Sequence, residues 1–409
     1  MTFHQTDPFL RLLSVLILVV TSLYITEKSF CALPDQPKDL LQVVTNLMVS
    51  HGFENIRASM LSDTLVIEYE NRVYLRERDA ISVMIPEIMN AVSSIKILNL
   101  ISKRDNVPLL LITISRDDYQ KSIATKQNVL DMLKISPIIA SPINKEKLYN
   151  SSSRKVDIIL HPYADVILGR LTDPFIPQYA VSPEISVYCG KGIKSIVRLK
   201  TILYDEQKKS NRLISLDGLY IDYTYRFGAL KSIDLSAGYF GMNRYGINSD
   251  TTLFIWHDII GIGCSVAYLG NMYYRDNTIY LTKLWNWTAF ADLYYRLPFW
   301  NMLLTARLGR FLYQDSGVSG EIIRFYKNVS IGVFLTKTDR GSTFGLRLQF
   351  LPYPRRNMKP NYVRIKLPDV IKAEYRYKYK ENIVGTRFSP KYNNVGDLTD
   401  TFWLMNFKD

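Results

Sequence analysis

The chain of 409 residues is short of the side chains that build metal and redox centres, with three cysteines and four histidines. His4, His51, His161 and His257 are scattered without ligand spacing, and Cys31, Cys189 and Cys264 make no paired motif, so neither a metal nor a cofactor is expected. Cys189 and Cys264 each lie on a strand-like run among apolar neighbours, where a disulfide and two isolated thiols both fit an exported chain. After the N-terminal region no segment offers the roughly 18 unbroken apolar residues of a spanning helix. An outer-membrane hydrolase would need a nucleophile beside a base, or two carboxylates across a cleft. Neither His161 nor His257 stands in such a setting, so no catalytic residue is expected and an enzyme is the weakest reading.

Residues 1–32 read as a signal peptide. Arg11 precedes an apolar run at 12–25 whose polar members are Ser and Thr, too short and badly flanked for a membrane helix. Ser29-Phe30-Cys31 fits the small-residue cleavage rule in part, and the bulky Phe30 argues against lipidation of Cys31.

What the chain has in abundance is strand-like alternation across 155–409. Phe344, Leu346, Leu348 and Phe350 oppose Thr343, Gly345, Arg347 and Gln349, a period of two that excludes a helix. The same split recurs with Leu304, Ala306, Leu308 and Leu312 against Thr305, Arg307 and Gly309. It recurs again with Ile221, Tyr223, Tyr225 and Phe227 against Asp222, Thr224 and Arg226. Turn-formers such as 190–192, 246–249 and 339–342 punctuate the runs. A soluble sandwich would also alternate. Strand length, the secretion signal and 28 tyrosines, which suit interfacial girdles, favour an antiparallel transmembrane β-barrel of about 12 strands in the outer membrane of a double-membrane bacterium.

The formal charge of +13 needs a place. An exported chain without a zinc finger, basic helix or RNA-binding signature rules against nucleic acid as its partner. Arg198, Lys200, Arg226, Arg296, Arg307 and Arg347 fall on the polar side of strands, with Asp222, Asp234 and Gln349 on the same side, and all are expected to face the lumen. Unpaired, those cations would favour an anionic polymer; paired with Asp222, Asp234 and Asp292, they would only fill a narrow barrel. Both readings stand at this level. Residues 353–400 are the hardest to place, although Tyr375, Tyr377 and Tyr379 alternating with Arg376 and Lys378 suit a strand with a cationic inner face. At the C-terminus Trp403, Met405 and Phe407 alternate.

Residues 36–140 have another texture. Leu40, Leu41, Val44, Leu47 and Met48 make a helical stripe at 38–50; strands are predicted at 55–61, 64–75, 95–102 and 108–115, and further helices at 78–92 and 120–133. A helix-strand-strand unit written twice predicts a small two-layer α/β domain, expected in the periplasm. Glu68, Glu70, Asn71 and Arg72 resemble a polar site but alternate along one strand, which suits a structural turn or a docking edge.

His51-Gly52-Phe53-Glu54-Asn55, residues 67–74 and Val107-Pro108-Leu109-Leu110 resemble the α/β region of the YjbH (GfcD-like) family of exopolysaccharide biosynthesis proteins. Residues 156–162, Ala237-Gly238-Tyr239-Phe240-Gly241 and Arg244-Tyr245-Gly246 extend the resemblance over roughly 45–350. It implies an outer-membrane barrel with a periplasmic module that works with polysaccharide-export proteins on capsule or exopolysaccharide. The expected partners are outer-membrane lipid, those export proteins and an anionic polysaccharide. The alternative is a passive solute pore or a structural outer-membrane protein.

Overall fold

A computed structural model describes residues 38–138, 140–143, 145–168, 175–206, 214–228, 231–255, 259–275, 278–326, 328–352, 356–359, 362–378 and 384–390. The signal peptide at 1–32, His4, Cys31, His257, Tyr379 and the alternating Trp403, Met405 and Phe407 lie outside them.

The molecule is mainly β with a small N-terminal α/β region. That region runs α1 (Lys38–His51), β1 (Glu54–Leu61), β2 (Thr64–Glu70), α2 (Glu77–Ala91), β3 (Ile97–Arg104), β4 (Val107–Ser115), α3 (Arg116–Thr125), a 3-10 turn (Val129–Met132) and β5 (Lys134–Pro137). Its sheet has the order β1-β2-β3-β4-β5, parallel between β2 and β3 and antiparallel elsewhere. The stripes read from the sequence meet as one apolar core: Val44 and Met48 of α1 and Ile81, Met84, Ile85 and Ile88 of α2 pack on Leu65, Ile67, Leu98 and Ile112. The helix expected at 120–133 is displaced. The Ser115 hydroxyl accepts a hydrogen bond from Asp118 N and starts α3 earlier, and Lys126 in the left-handed conformation stops it. Segment 149–152 returns to β1, with Tyr149 paired to Ile56.

A second sheet of 15 strands follows. Its first half holds β6 (Val156–Leu168), β7 (Phe175–Gly190), β8 (Ile193–Asp205), β9 (Ile214–Gly228), β10 (Lys231–Tyr239), β11 (Arg244–Ile255), β12 (Ile260–Arg275) and the short β13 (Thr278–Leu281). Its second half holds β14 (Asn286–Leu297), β15 (Met302–Arg310), β16 (Ser316–Phe325), β17 (Val329–Thr338), β18 (Gly341–Phe350), β19 (Val363–Lys366) and β20 (Ile371–Lys378). Neighbours pair in sequence order, with β13 set aside against β12. The sheet departs from an all-antiparallel expectation at one end, where β19 pairs parallel to β6. The reason is directional: β6, β19 and β20 all start from the same end of the sheet, so a strand returning to β6 must run alongside it. β20 lies against β6, yet no ladder joins them among the described residues, and the hydrogen-bonded sheet is open at that seam.

Two local expectations fail. Residues 246–249 lie inside β11, and the turn falls instead at Gly241, Met242 and Asn243, all with positive φ. Gly246 is needed there for closeness, since a Cβ on it would sit 2.1 Å from Tyr268 O. Leu312 is buried in the turn after β15 and does not extend its exposed row.

Burial on this sheet is reversed relative to the α/β core. Along β17 Val333 and Leu335 are more than half exposed, at 53% and 59%, while Ser330 and Thr336 are 3% exposed. On β18 Phe344, Leu346, Leu348 and Phe350 face out and Thr343 and Gln349 are buried. Ile221, Tyr225 and Phe227 are exposed on β9 around a fully buried Asp222. The apolar row seen in the sequence is therefore the outer one.

Candidate functional site

The buried face of the large sheet carries ion-pair clusters alongside apolar ones such as Phe254, Tyr294, Leu303 and Ile323, and it contains the residues assigned to the lumen. Arg198 Nε lies 3.2 Å from Glu184 Oε2, its Nη2 donates to Tyr220 Oη at 2.9 Å, and His161 Nε2 stands 3.3 Å from the same Glu184. Lys200 Nζ lies 3.4 Å from Gln178 Oε1 and 4.0 Å from the Tyr163 ring centre. Asp222 accepts from Ser236 Oγ at 2.7 Å and lies 3.6 Å from Lys194 Nζ. Arg307 Nε donates to Asp292 Oδ1 at 2.6 Å, while Arg387 comes within 3.5 Å of the same carboxylate. Arg347 binds Glu321 and, at 3.0 Å, Glu374, which also holds Arg376. Asp234 accepts from Thr224 Oγ1 at 2.5 Å, and Gln349 accepts from Ser330 Oγ at 2.8 Å. Arg226 and Arg296 are half-buried on β9 and β14 and take part in interactions of their own.

The sequence left open whether these cations line a free pore or pair, and the geometry is that of pairing. Arg198 and Arg307 each sit on a carboxylate of the neighbouring strand, and Arg347 sits on Glu374 of neighbouring β20 and on Glu321 of β16, across β17. Each such pair replaces the water that a buried charge would otherwise need. Ser182, opposite His161 in the register of β6 and β7, is fully buried and out of reach of a dissolved substrate. Cys189 and Cys264 are exposed free thiols.

Segment 384–390 crosses this buried face, and alternation gave no sign of it. Leu312 N donates to Thr386 O at 2.9 Å, Gly385 N donates to Asp315 Oδ2 at 2.7 Å, and Arg198 Nη2 reaches Pro390 O at 3.3 Å. Phe388, 1% exposed, packs edge-on against Phe240 with ring centres 5.4 Å apart. Seven residues thus run from the turns before β11 and β16, at one end of the sheet, to the middle of β8. Part of the region least legible in the sequence is in this way a lining element.

The α/β region occupies the opposite end, where the β7–β8 turn and the starts of β6, β17 and β19 lie. Gly192 N donates to Asp105 O at 2.8 Å, Asn357 N to Val73 O at 2.6 Å, and Arg76 to the Asn328 side chain. Arg364 is clamped on Asp157, with Nη2 to Oδ2 at 2.5 Å and Nε to Oδ1 at 3.1 Å, and also donates to Arg72 O. Arg72 in turn holds Glu70 at 2.8 Å and Glu54 at 3.3 Å and lies 3.4 Å over the Tyr188 ring. Glu70 and Arg72 thus belong to a docking edge. Arg364 and Asp157 were not foreseen, because a pair 207 residues apart leaves no local pattern.

Beside this edge, inside the α/β region, Lys103 Nζ contacts Glu68 Oε2 at 2.6 Å with both side chains 1% exposed. Burial works to raise the Glu68 carboxyl, but the Lys103 charge prevails and holds it below the ordinary carboxylate value. Burial pushes the Glu77 carboxyl up, against hydrogen bonds from Tyr69 and Asn71. Between the two regions lies a polar cavity of about 550 Å³, lined from the α/β side by Arg72, Tyr74 and Arg78 and from the sheet side by Tyr188, Lys194 and Arg364.

No curated protein matches this sequence. The family model described as exopolysaccharide biosynthesis protein YbjH matches residues 26–345, which take in the whole α/β region and most of the large sheet. The chain belongs to the YjbH family, and that membership implies a role in exopolysaccharide biosynthesis.

Proposed function

We propose that the large sheet is an outer-membrane β-barrel, seamed between β6 and β20, and that the protein is a non-enzymatic component of exopolysaccharide or capsule secretion or assembly. The observation that carries this reading is the reversed burial of β9, β17 and β18, with Leu335 and Leu346 outward and Asp222 and Thr336 inward. A sheet in water would lose stability by showing so continuous an apolar surface and hiding so many charges. In lipid the same placement is favourable, because apolar side chains meet acyl chains and each long strand between β6 and β20 hydrogen-bonds to a neighbour on either side. Strands of 9 to 16 residues suit a tilted crossing.

On this reading the α/β region stands in the periplasm at one mouth of the barrel, positioned to dock export proteins. The interior differs from the cationic channel for an acidic polymer that the sequence allowed. Pairs such as Arg307 with Asp292 balance the charge, and segment 384–390 crosses one end. The barrel is a filled scaffold in this form, which disfavours the passive-pore alternative.

Two measurements test the proposal. Deleting the chain from its host should lower secreted polysaccharide, and restoring it should bring secretion back; unchanged secretion would refute the role. In planar bilayers the purified chain should show no steady conductance, whereas removal of residues 384–409 should open one. A stable channel in the unaltered protein would return the passive pore to first place.

A further inference from the structure

Resting on the barrel reading just proposed, we infer that segment 384–390 is a displaceable gate, and that the filled barrel is the shut state of an export conduit. The segment belongs to no strand, yet it reaches across the buried face from one side of the sheet to the other. Gly385 lies by Thr336 of β17, Arg387 lies between Asp250 of β11 and Asp292 of β14, and Pro390 lies by Arg198 of β8. In a closed barrel such a path spans the lumen.

Three observations separate this segment from permanent filling. The first is that the walls keep their charge balance without it. Asp292 holds Arg307 at 2.6 Å and Tyr294 Oη at 2.8 Å, Asp250 accepts from Asn248 Nδ2 at 2.7 Å, and Arg198 keeps Glu184 and Tyr220. Withdrawal of Arg387 and Pro390 therefore leaves none of the three without a partner. The contacts of Arg387 are long, 3.7 Å to Asp250 and 3.5 Å to Asp292, and its side chain is 20% exposed. An ion pair so loose and so accessible to water adds little to closure.

The second is an under-satisfied seat. Thr386 Oγ1 and Arg387 Nε on the segment, and Asp250 Oδ1, Asn286 Oδ1 and Asp315 Oδ1 around it, are buried without a hydrogen-bond partner among the described residues. Polar atoms left in that state work against the closed arrangement, and water reaching them on opening relieves it. The third is the grip. Phe388, 1% exposed, packs among Phe240, Leu269 and Leu312, and beside it Leu312 N donates to Thr386 O while Gly385 N donates to Asp315. One aromatic side chain and two hydrogen bonds hold far less than the ladder of a wall strand, and moving elements are drawn from such weakly held parts of a fold.

The test is single-channel recording in planar bilayers, with Cys31, Cys189 and Cys264 replaced by serine throughout. The otherwise unaltered chain should be shut for most of the record. Phe388→Ala should raise the open probability at least tenfold, about 1.4 kcal/mol, with the sheet still folded by circular dichroism. Thr336→Cys and Gly385→Cys, added to Phe388→Ala, supply a tether: a Cβ at 385 would lie 3.2 Å from that of 336, near the roughly 3.5–4.5 Å of a disulfide. Oxidation should abolish the openings and reductant should restore them. A Phe388→Ala chain as silent as its parent, openings that persist once the bridge is complete, or loss of the folded sheet in Phe388→Ala overturns the gate. The chain lacking residues 384–409 scores the barrel reading separately. If that chain conducts while Phe388→Ala is silent, the gate falls and the barrel stands; if neither conducts, the filled-barrel reading falls as well.

Discussion

The α/β region and the large sheet use similar side chains in opposite ways. In the first, Ile81, Met84 and Ile85 are hidden between helices and sheet while the helix backs carry Gln42 and Lys121. In the second, Leu335, Phe344 and Leu346 are on show while Asp222, Asp292 and Thr336 are hidden. Apolar burial stabilises the first by roughly 25 cal/mol per Å² removed from water. The second gains nothing of the kind from its outer face in water, and its interior depends on charge pairs whose desolvation cost must be met by close contacts such as Arg307 with Asp292 at 2.6 Å. One chain therefore carries two solvent assumptions, and each can be tested against the other.

The largest effect is expected where the α/β region departs from its own rule and buries a charge pair. Glu68→Gln leaves Lys103 without its 2.6 Å partner in a site that is 1% exposed. The expected cost is about 3–5 kcal/mol, read as a lowered denaturation midpoint of this region. A shift below about 1 kcal/mol would mean that Lys103 discharges or finds water at little cost, and would bring the two regions closer in character.

Next comes the contrast between outer faces. Leu346→Arg, on β18 at 50% exposure, should cost about 2–4 kcal/mol in a lipid environment, by the depth-dependent penalty for a cation on the outer wall of the proposed barrel. Ile123→Arg, on α3 at 59% exposure, should change stability by about 0.5 kcal/mol or less, as an ordinary surface substitution. Urea titration of the protein folded into vesicles measures both. Equal costs at the two sites would end the claim that their surroundings differ.

A smaller loss is expected from Arg307→Gln. Asp292 would lose its 2.6 Å contact but keep Tyr294 Oη at 2.8 Å and Arg387 at 3.5 Å, so the penalty should fall to about 1–3 kcal/mol. A barrel interior held by single isolated pairs would lose more, and an open cationic pore would instead show a changed ion selectivity with no loss of stability.

These contrasts also mark what the sequence could convey. Alternation at Phe344, Leu346, Leu348 and Phe350 was legible because a strand places successive side chains on opposite faces whatever surrounds it. The helix-strand-strand pattern was legible for the same local reason. Alternation could not say which face was inward, whether Arg198 met a carboxylate, or that 384–390 would lie across the buried face. Those depend on pairings such as Arg198 with Glu184 from the next strand and Arg364 with Asp157 from 207 residues away. Composition carried no trace of the junction cavity, whose walls come from both sheets and from the segment that leads from β2 into α2.

The mildest test acts through pH and separates the two buried acids of the α/β region. Burial raises the Glu77 carboxyl, so its neutral form is the one the fold prefers. Its contribution to stability is present below the ordinary glutamate value of about 4.3 and is lost as pH rises through the elevated value. Glu68, held low by Lys103, has the opposite sign: its contribution is present above about 4.3 and is lost as pH falls through the depressed value. Glu77→Gln removes the first term alone, since the amide cannot ionise. The variant's melting temperature relative to the unaltered chain should therefore rise steadily as pH increases from about 4 toward neutrality. A difference that stays flat over that span would place the Glu77 side chain in contact with water, and would open to solvent the wall on which the α2 end of the cavity depends.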